Sequence, residues 1–433
     1  MNKYFAEAQT MQSDLAACRR DLHHHPETGW TEFRTAAKVI CNLKRLGFEV
    51  KYGDQVLDSA EMMGLPAPEV LTAAMNRAVQ EGADASLVQQ MEGGKTGVVG
   101  VLKMARPGRT IAMRFDMDCN DVQEADDQEH RPSREGFASL HERAMHACGH
   151  DGHVTIGLAV ARLAAAHRAE LAGTLKLIFQ PAEEGVRGAR AMAARGVVDD
   201  VDYFFGGHIG FIAREPDMLI CSTGGFLATT KLDARFTGKS SHAGAAPQEG
   251  RNALLAAAAA SLALHSIPRH GEGASRINVG VLNAGTGRNV VPDTALLKLE
   301  TRGATTAIND FMAAEADRML KAAALMYHTE VKITQAGSAP SCVSEQELGR
   351  EIAALAEKTG IYTKVVPYKE MGGSEDCAYF MERVQQHGGH AVYLGYGTPI
   401  AAGHHNRRFD FDERCLWQAA GILMTLLEAY GQR

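Results

Sequence analysis

The chain is 433 residues long, 45% hydrophobic and 22% charged, with 45 lysines and arginines against 52 aspartates and glutamates. That length exceeds one ordinary core and points to two domains. The net charge of −7 excludes nucleic acid and anionic membrane as main partners. No stretch reaches the roughly 20 apolar residues a bilayer span needs, and the opening MNKYFAEAQTMQSDLAACRRDL lacks the apolar core of a signal peptide. Eight cysteines scattered without CxxC pairs fit a reducing compartment, so the expected location is the cytoplasm.

In chain order, the stretch to about Leu46 reads as helix, interrupted by HHHPETGW, where His23, His24 and His25 read as residues of a polar turn beside Pro26. Residues 59–94, rich in Ala, Met, Glu and Gln, form a second helical region ahead of the strands. Short β-runs follow: TGVVGVLKM, TIAMRFDMD, TLKLIFQ, DYFFGGHIG and, much later, AVYLGYG. Helical stretches such as VTIGLAVARLAAAHRAEL separate them, which predicts an α/β fold with helices on both faces of a mixed sheet. Between Phe226 and Ala336 the order becomes β-α-β-β-α-β, a ferredoxin-like unit inserted into the first domain. The expected division is therefore 1–225 with 337–433 as the catalytic, metal-binding domain, and 226–336 as a lid or dimerisation domain.

MHACGHDGH sets Cys148 and His150 two residues apart. A redox pair would need a second cysteine nearby, a nucleophile a single distant histidine, and a metal further ligands from elsewhere in the chain. Candidates for the last are Glu183 and Glu184 in QPAEEG, His208 in GGHIG, and His404 and His405 in AAGHHNRRFDFDE. Asp116, Glu183, Glu184 and His208 all fall where strands end, and ligand sites in open α/β sheets gather at the carboxyl ends of strands. Thiolate, imidazole and carboxylate are the usual donors to zinc and similar ions. Two adjacent glutamates allow one to bind metal while the other acts as a base. Taken singly, each piece is bland: QPAEEG alone is a solvated turn. Cys18, Cys41, Cys119, Cys221, Cys342, Cys377 and Cys415 read as small core or surface residues.

MHACGHDGH, FQPAEEG, HIG, SHAGAAP, GRNVVPDTA, GGSEDCA and GHHNRRFDFDE, in that order across nearly the whole chain, resemble the amidohydrolase branch of the M20-type metallopeptidases. The resemblance extends to the helical insertion and to RRDLHHHPETGWTEFRTA. It implies a dinuclear metallo-amidohydrolase with two divalent ions, Mn2+ or Zn2+. Cys148 would bridge them as thiolate, His150 and His208 would complete one shell, and Glu184 and His405 the other. The tail F-x-F-D-E sets the register in favour of His405, with His404 behind it. Glu183 would be the general base, and Asp116 would orient a metal-binding histidine. Relatives elsewhere in the superfamily place a histidine ligand where Arg114 stands, and His150 would substitute for it. His242 would reach a neighbouring subunit's site and stabilise the oxyanion. Asn289 and Arg302, with Arg288 beside them, would hold the substrate's carboxylate, and the GGSEDCA segment containing Glu375 would line the floor. The implied substrate is a small N-acyl-glutamate, p-aminobenzoyl-glutamate, a folate breakdown product cleaved to p-aminobenzoate and glutamate. The implied assembly is a lid-to-lid homodimer or a heteromer with a related B subunit. The competing expectations are a hydrolase of other N-acyl or aroyl amino acids such as hippurate, a non-catalytic partner subunit, and a thiol enzyme using Cys148 as nucleophile.

Overall fold

The computed structural model describes residues 2–432. Three helices open the chain: α1 (Lys3–Thr10), α2 (Gln12–His24) and α3 (Phe33–Arg45). On α3, Phe33, Ala36, Ala37, Ile40 and Leu43 recur at helical spacing and are all buried. Lys44 and Arg45 sit on its last turn, where positive charge complements the helix dipole. The polar turn expected at His23–His25 is corrected here: His23 and His24 end α2, and His23 is fully buried. After β1 (Glu49–Tyr52) comes the insertion, α4 (Pro68–Gln80) and α5 (Ala85–Gln90). A proline in the first turn starts α4, and the Asp84 carboxylate caps α5 by accepting from the N–H groups of Ser86 and Leu87.

Next come β2 (Val98–Lys103), β3 (Arg106–Asp116), α6 (Arg131–Glu135), α7 (His150–Ala166), β4 (Ala172–Gln180), α8 (Ala189–Ala194), β5 (Tyr203–Ile209), β6 (Met218–Ile220) and β7 (Thr223–Gly224). The chain then enters its second unit with β8 (Ala228–Thr237), α9 (Ala253–His265), β9 (Ser275–Ala284), β10 (Thr294–Gly303), α10 (Thr306–Met326) and β11 (Glu330–Ala339). It returns with α11 (Gln346–Thr359), β12 (Lys364–Val366), β13 (Lys369–Glu370), α12 (Ala378–Gln386), β14 (His390–Tyr396) and α13 (Cys415–Gly431). Two compact units result: Met1–Gly224 with Val343–Met371 and Asp376–Arg433, and Gly225–Cys342 with Gly372–Glu375. The second unit runs past residue 336 because β11 stays paired with β8 as far as Ala339.

In the first unit the eight-stranded sheet runs β1-β2-β4-β3-β5-β14-β6-β12. Its centre is parallel: β3 runs with β4 and β5, and β5 with β14, so these four strands end on the same side. Consecutive residues of a strand face opposite sides, and β5 shows both faces covered. Phe204 meets Phe380 of α12 at 5.9 Å between ring centroids, while Phe205 meets Tyr430 of α13 at 5.8 Å. Both α7 and α13 are buried almost throughout, as apolar residues around the whole helix require. Gly157 lets α7 approach the sheet, since a Cβ there would lie 2.7 Å from Phe115 and Phe179. Among the described residues no helix is long and apolar enough to cross a membrane.

The second unit is an antiparallel four-stranded sheet in the order β11-β8-β10-β9. One face packs against both helices, with Leu232, Phe236 and Leu297 meeting Ala256, Ala260, Met312, Ala316 and Leu320. On β10 the alternate residues Glu300 and Arg302 lie on the other face.

Candidate metal centre

The carboxyl ends of β3, β4 and β5 bring the expected donors of the first unit together. Asp116 ends β3, Glu183 and Glu184 follow β4 by a few residues, His208 lies near the end of β5, and α7 starts at His150. Gly149 precedes that start at φ 89°, which favours glycine. The loop after β14 joins them through a hydrogen bond from the His405 N–H to the Ala147 carbonyl (2.8 Å). Ala182, Val186 and His405 hold left-handed φ values of 50°, 57° and 64°. Such strained non-glycine positions concentrate at functional sites.

His150 donates through Nδ1 to the Asp118 carbonyl (2.8 Å), so Nε2 is the atom aimed into the site. That Nε2 is buried without a hydrogen-bond partner, 3.7 Å from an Asp116 oxygen and 4.0 Å from a Glu183 oxygen. Burial opposes a positive charge on His150, but Asp116 and Asp118 outweigh it and lift its pKa to about 10. A divalent cation at this Nε2, between the Asp116 and Glu183 oxygens, would give the nitrogen the partner it lacks. His208 donates through Nδ1 to the Ile209 carbonyl (2.9 Å), and its Nε2 lies 3.4 Å from the Cys148 sulfur. Burial and the neighbouring histidines His153 and His404 push His208 well below the usual imidazole range, which favours the neutral ring. Burial opposes charge on Glu184, yet His405, 3.3 Å from its Oε1, and His150 hold its pKa at about 2.

The donor atoms of Cys148, Glu184 and His405 lie within 4.8 Å of one another, and so do those of Cys148, His208 and His404. Cys148 belongs to both sets. His150 groups with Glu183 and Glu184 instead, and its ring centroid is 6.0 Å from that of His208, the residue expected to share its ion. His404 donates through Nε2 to the Ile209 carbonyl (3.1 Å) and keeps a buried Nδ1 without a hydrogen-bond partner. Both tail histidines are therefore in reach of the thiol. Soft thiol, imidazoles and carboxylates in this arrangement suit a divalent transition metal.

The sequence reading missed the residues that aim these donors. Asp118 accepts the N–H groups of both Glu183 and Glu184 (2.9 Å each) while its carbonyl fixes His150. Glu32 accepts from the Ala182 N–H (2.7 Å) in that turn and from the Thr96 hydroxyl (2.6 Å) ahead of β2, and burial with the nearby Asp118 raises its pKa to about 8. The histidine that Asp116 holds is His153, whose Nε2 accepts the Ile209 N–H (3.0 Å) and so is committed to the backbone. Arg114 is a buried strut, donating to Asp116 (2.6 Å), Gln180 (2.7 Å) and Asp376 (3.3 Å). Behind His150, Asp151 accepts from Arg19 (2.7 Å) and His23 (2.8 Å), and His23 donates onward to Glu124 (2.9 Å). The available signals were the D-x-D of MRFDMD and the aspartate directly after His150.

In the second unit, His242 is exposed and its Nδ1 accepts from the N–H groups of Gly244 (3.2 Å) and Ala245 (3.1 Å). With Nδ1 accepting, Nε2 is the ring nitrogen left to donate. Asn289 is next to it: its carbonyl accepts the Ala243 N–H (3.0 Å), and Val290 bridges to His242. Arg288 is exposed there. Arg302 is not part of this pair. The strand from Thr294 to Arg302 spans roughly 27 Å at the usual rise, and Arg302 bonds at its far end to Glu300 (2.9 Å) and Ser374 (3.4 Å). Glu375 is buried in the Gly372–Glu375 segment of the same unit.

Known proteins resemble this chain over most of its length. Residues 112–429 match the model of peptidase family M20/M25/M40. The chain is 49% identical over 403 residues to one of the subunits of p-aminobenzoyl-glutamate hydrolase from Escherichia coli (strain K12), covering 93% of this chain and 92% of that one. It is 48% identical over 435 residues to indole-3-acetyl-aspartic acid hydrolase of Enterobacter agglomerans, covering 100% and 99%. Among solved structures, an aminobenzoyl-glutamate utilization protein from Klebsiella pneumoniae superposes with a TM-score of 0.83 at 39% identity, over 98% of each chain. With a family match over most of its length and half its residues shared with full-length relatives, the chain belongs to the hydrolase family M20/M25/M40.

Proposed function

We propose that this chain is a metal-dependent amidohydrolase that cleaves p-aminobenzoyl-glutamate to p-aminobenzoate and glutamate. The observation that carries the metal-dependent chemistry is the Cys148 sulfur shared by two donor groups, beside a buried His150 Nε2 that lacks a hydrogen-bond partner. Both relatives near half identity are named for an aromatic acyl group joined to an acidic amino acid. That supports the substrate class, and the glutamate compound is the reading we favour within it.

Cys148, His150, Glu184, His208 and His405 would hold two divalent ions, and His404 lies near Cys148 and His208. When bound, the ions supply positive charge that polarises the amide carbonyl and eases deprotonation of water. Zinc suits the thiolate and imidazoles, and manganese the carboxylates. Glu183 takes a proton from the attacking water as its oxygen bonds to the carbonyl carbon. The same carboxyl returns that proton to the amide nitrogen as the carbon–nitrogen bond breaks, releasing glutamate as the amine. The His242 Nε2–H donates to the oxyanion, and Asn289 and Arg302 pair with substrate carboxylate. Asn289 and Arg302 stand at opposite ends of β10, too far apart for one small ligand to touch both within one chain. We therefore assign His242 and Asn289 to the site of a second chain, either another copy in a homodimer or a related B subunit. A cytoplasmic location accords with the absence of disulfides among the eight cysteines.

A second reading rests on the 48% identity to the indole-3-acetyl-aspartic acid hydrolase. The test is kcat/KM of the purified chain, supplied with Mn2+ or Zn2+, on p-aminobenzoyl-glutamate, indole-3-acetyl-aspartate and hippurate. The first is expected to be the best substrate, and a higher value for either of the others overturns the assignment. Glu183→Gln is expected to keep its metal content and lose roughly 10²–10⁴-fold in rate. Retained turnover would remove Glu183 from the base role.

A further inference from the structure

We infer that the second unit carries a carboxylate-selecting pocket, formed by Arg269 and Arg276 beside Arg302, that recognises the acidic side chain of the amino acid being released. This deepens the reading above and rests on it for the identity of the ligand.

The register of the edge strand carries the inference. Arg276 on β9 lies directly opposite Arg302 on β10, and Asn278 lies opposite Glu300. Like charges directly across an antiparallel pair destabilise it, so the arrangement calls for a counter-charge. Arg302 has one, since Glu300 accepts from it at 2.9 and 3.2 Å, but Glu300 also accepts from Lys231 at 3.0 Å. Arg276 has none: its guanidinium makes no ion pair or hydrogen bond with the described residues. Arg269, from the loop before β9, reaches only the Ile267 carbonyl (3.3 Å).

The three arginines, with Glu300 and Asn278, line a cavity of about 420 Å³. Three guanidinium groups against one carboxylate leave the cavity positive. A planar guanidinium can pair both oxygens of a carboxylate. Arg302 meets the carboxylate common to all amino acids, so the remaining positive charge of Arg276 and Arg269 falls to a second carboxylate. Glutamate and aspartate carry one and glycine does not. The pocket is thus a device for choosing among acyl-amino acids by the charge of the amine half.

The test measures binding, so that it stands apart from turnover. In the full-length, metal-loaded Glu183→Gln chain, calorimetry compares p-aminobenzoyl-glutamate with p-aminobenzoyl-glycine. Arg276→Gln, alone and with Arg269→Gln, is expected to weaken the glutamate compound roughly ten- to hundredfold and the glycine compound by about threefold or less. Arg276→Lys, which keeps the charge and loses the fork, is expected to fall between. Equal loss for both compounds, or no loss for either, overturns the pocket, as does a parent chain that binds both alike. Failure of the parent Glu183 chain to hydrolyse either compound counts against the proposed reaction alone.

Discussion

Asp118 serves the site with two different parts of one residue. Its carbonyl fixes the His150 tautomer, and its carboxylate accepts the backbone N–H groups of both glutamates. Asp118→Asn keeps the shape but turns an N–H donor toward one of those donors, so the Glu183–Glu184 turn loses a partner. Metal affinity is expected to fall roughly 10–100-fold, the usual loss when a group orienting a ligand is changed. A metal titration against a competing chelator checks this, and unchanged affinity would reduce Asp118 to a loop strut. His23 and Glu124 give a pH prediction. Burial and Arg19 oppose charge on His23, yet its hydrogen bonds to Asp151 and Glu124 raise its pKa to about 9. Burial opposes charge on Glu124, and the bonds from His130 and His23 hold it at about 2. A raised histidine stabilises fully below its ordinary value near 6.5 and loses that contribution as pH climbs through about 9. A depressed glutamate stabilises above about 4.5 and loses its contribution as pH falls toward 2. The pair should therefore stabilise most between those limits, by on the order of 3 kcal/mol. His23→Gln should flatten the fall in Tm between pH 6.5 and 9, and an undiminished slope would assign the fall to other groups. Cys148, Glu183, Glu184 and His208 were legible as candidates because ligand chemistry shows in residue type and in position after a strand. His23 was not, because its partner Glu124 lies 101 positions away and local sequence gives it only a polar neighbourhood.

The same division appears among the elements. Strands with five or more apolar-rich residues, such as β4 and β5, were legible because a run between turn residues has few other readings. The strands β6, β7, β12 and β13, each of two or three residues, were not, since pairing with distant partners defines them and local propensity does not. The start of α7 was also misplaced. The helical stretch was read from Val154 in VTIGLAVARLAAAHRAEL, yet the helix begins at His150, because Gly149 takes the left-handed turn that admits the chain to its first turn. This places His150, a proposed metal donor, on the first residue of a helix packed into the core, which is more rigid than a loop. Gly157 controls how deeply that helix seats. Gly157→Ala puts a methyl 2.7 Å from Phe115 and Phe179, both in the core. The expected loss is about 1–3 kcal/mol in urea unfolding, with the displaced helix carrying His150 and so lowering metal affinity as well. Unfolding and metal affinity both matching the parent would show that the two rings yield freely.

At the scale of the whole molecule, the residues of the second unit proposed to face substrate fall into two groups, and the proposal therefore calls for more than one chain. His242 and Asn289 flank one end of β10 and Arg302 the other, and a strand cannot fold back on itself to unite them. If a second copy supplies His242, a chain lacking its base and a chain lacking its oxyanion donor can repair each other. Glu183→Gln and His242→Ala homodimers should each be nearly inactive. When mixed and allowed to exchange, only a subunit with Glu183 intact whose partner keeps His242 has a complete site. Random exchange makes that about a quarter of all sites, so about a quarter of the parent rate should return. If His242 acts within its own chain, every subunit in the mixture stays defective and no rate returns. If a related B subunit supplies it instead, His242→Ala leaves activity intact once that chain is added, and exchange between copies restores nothing.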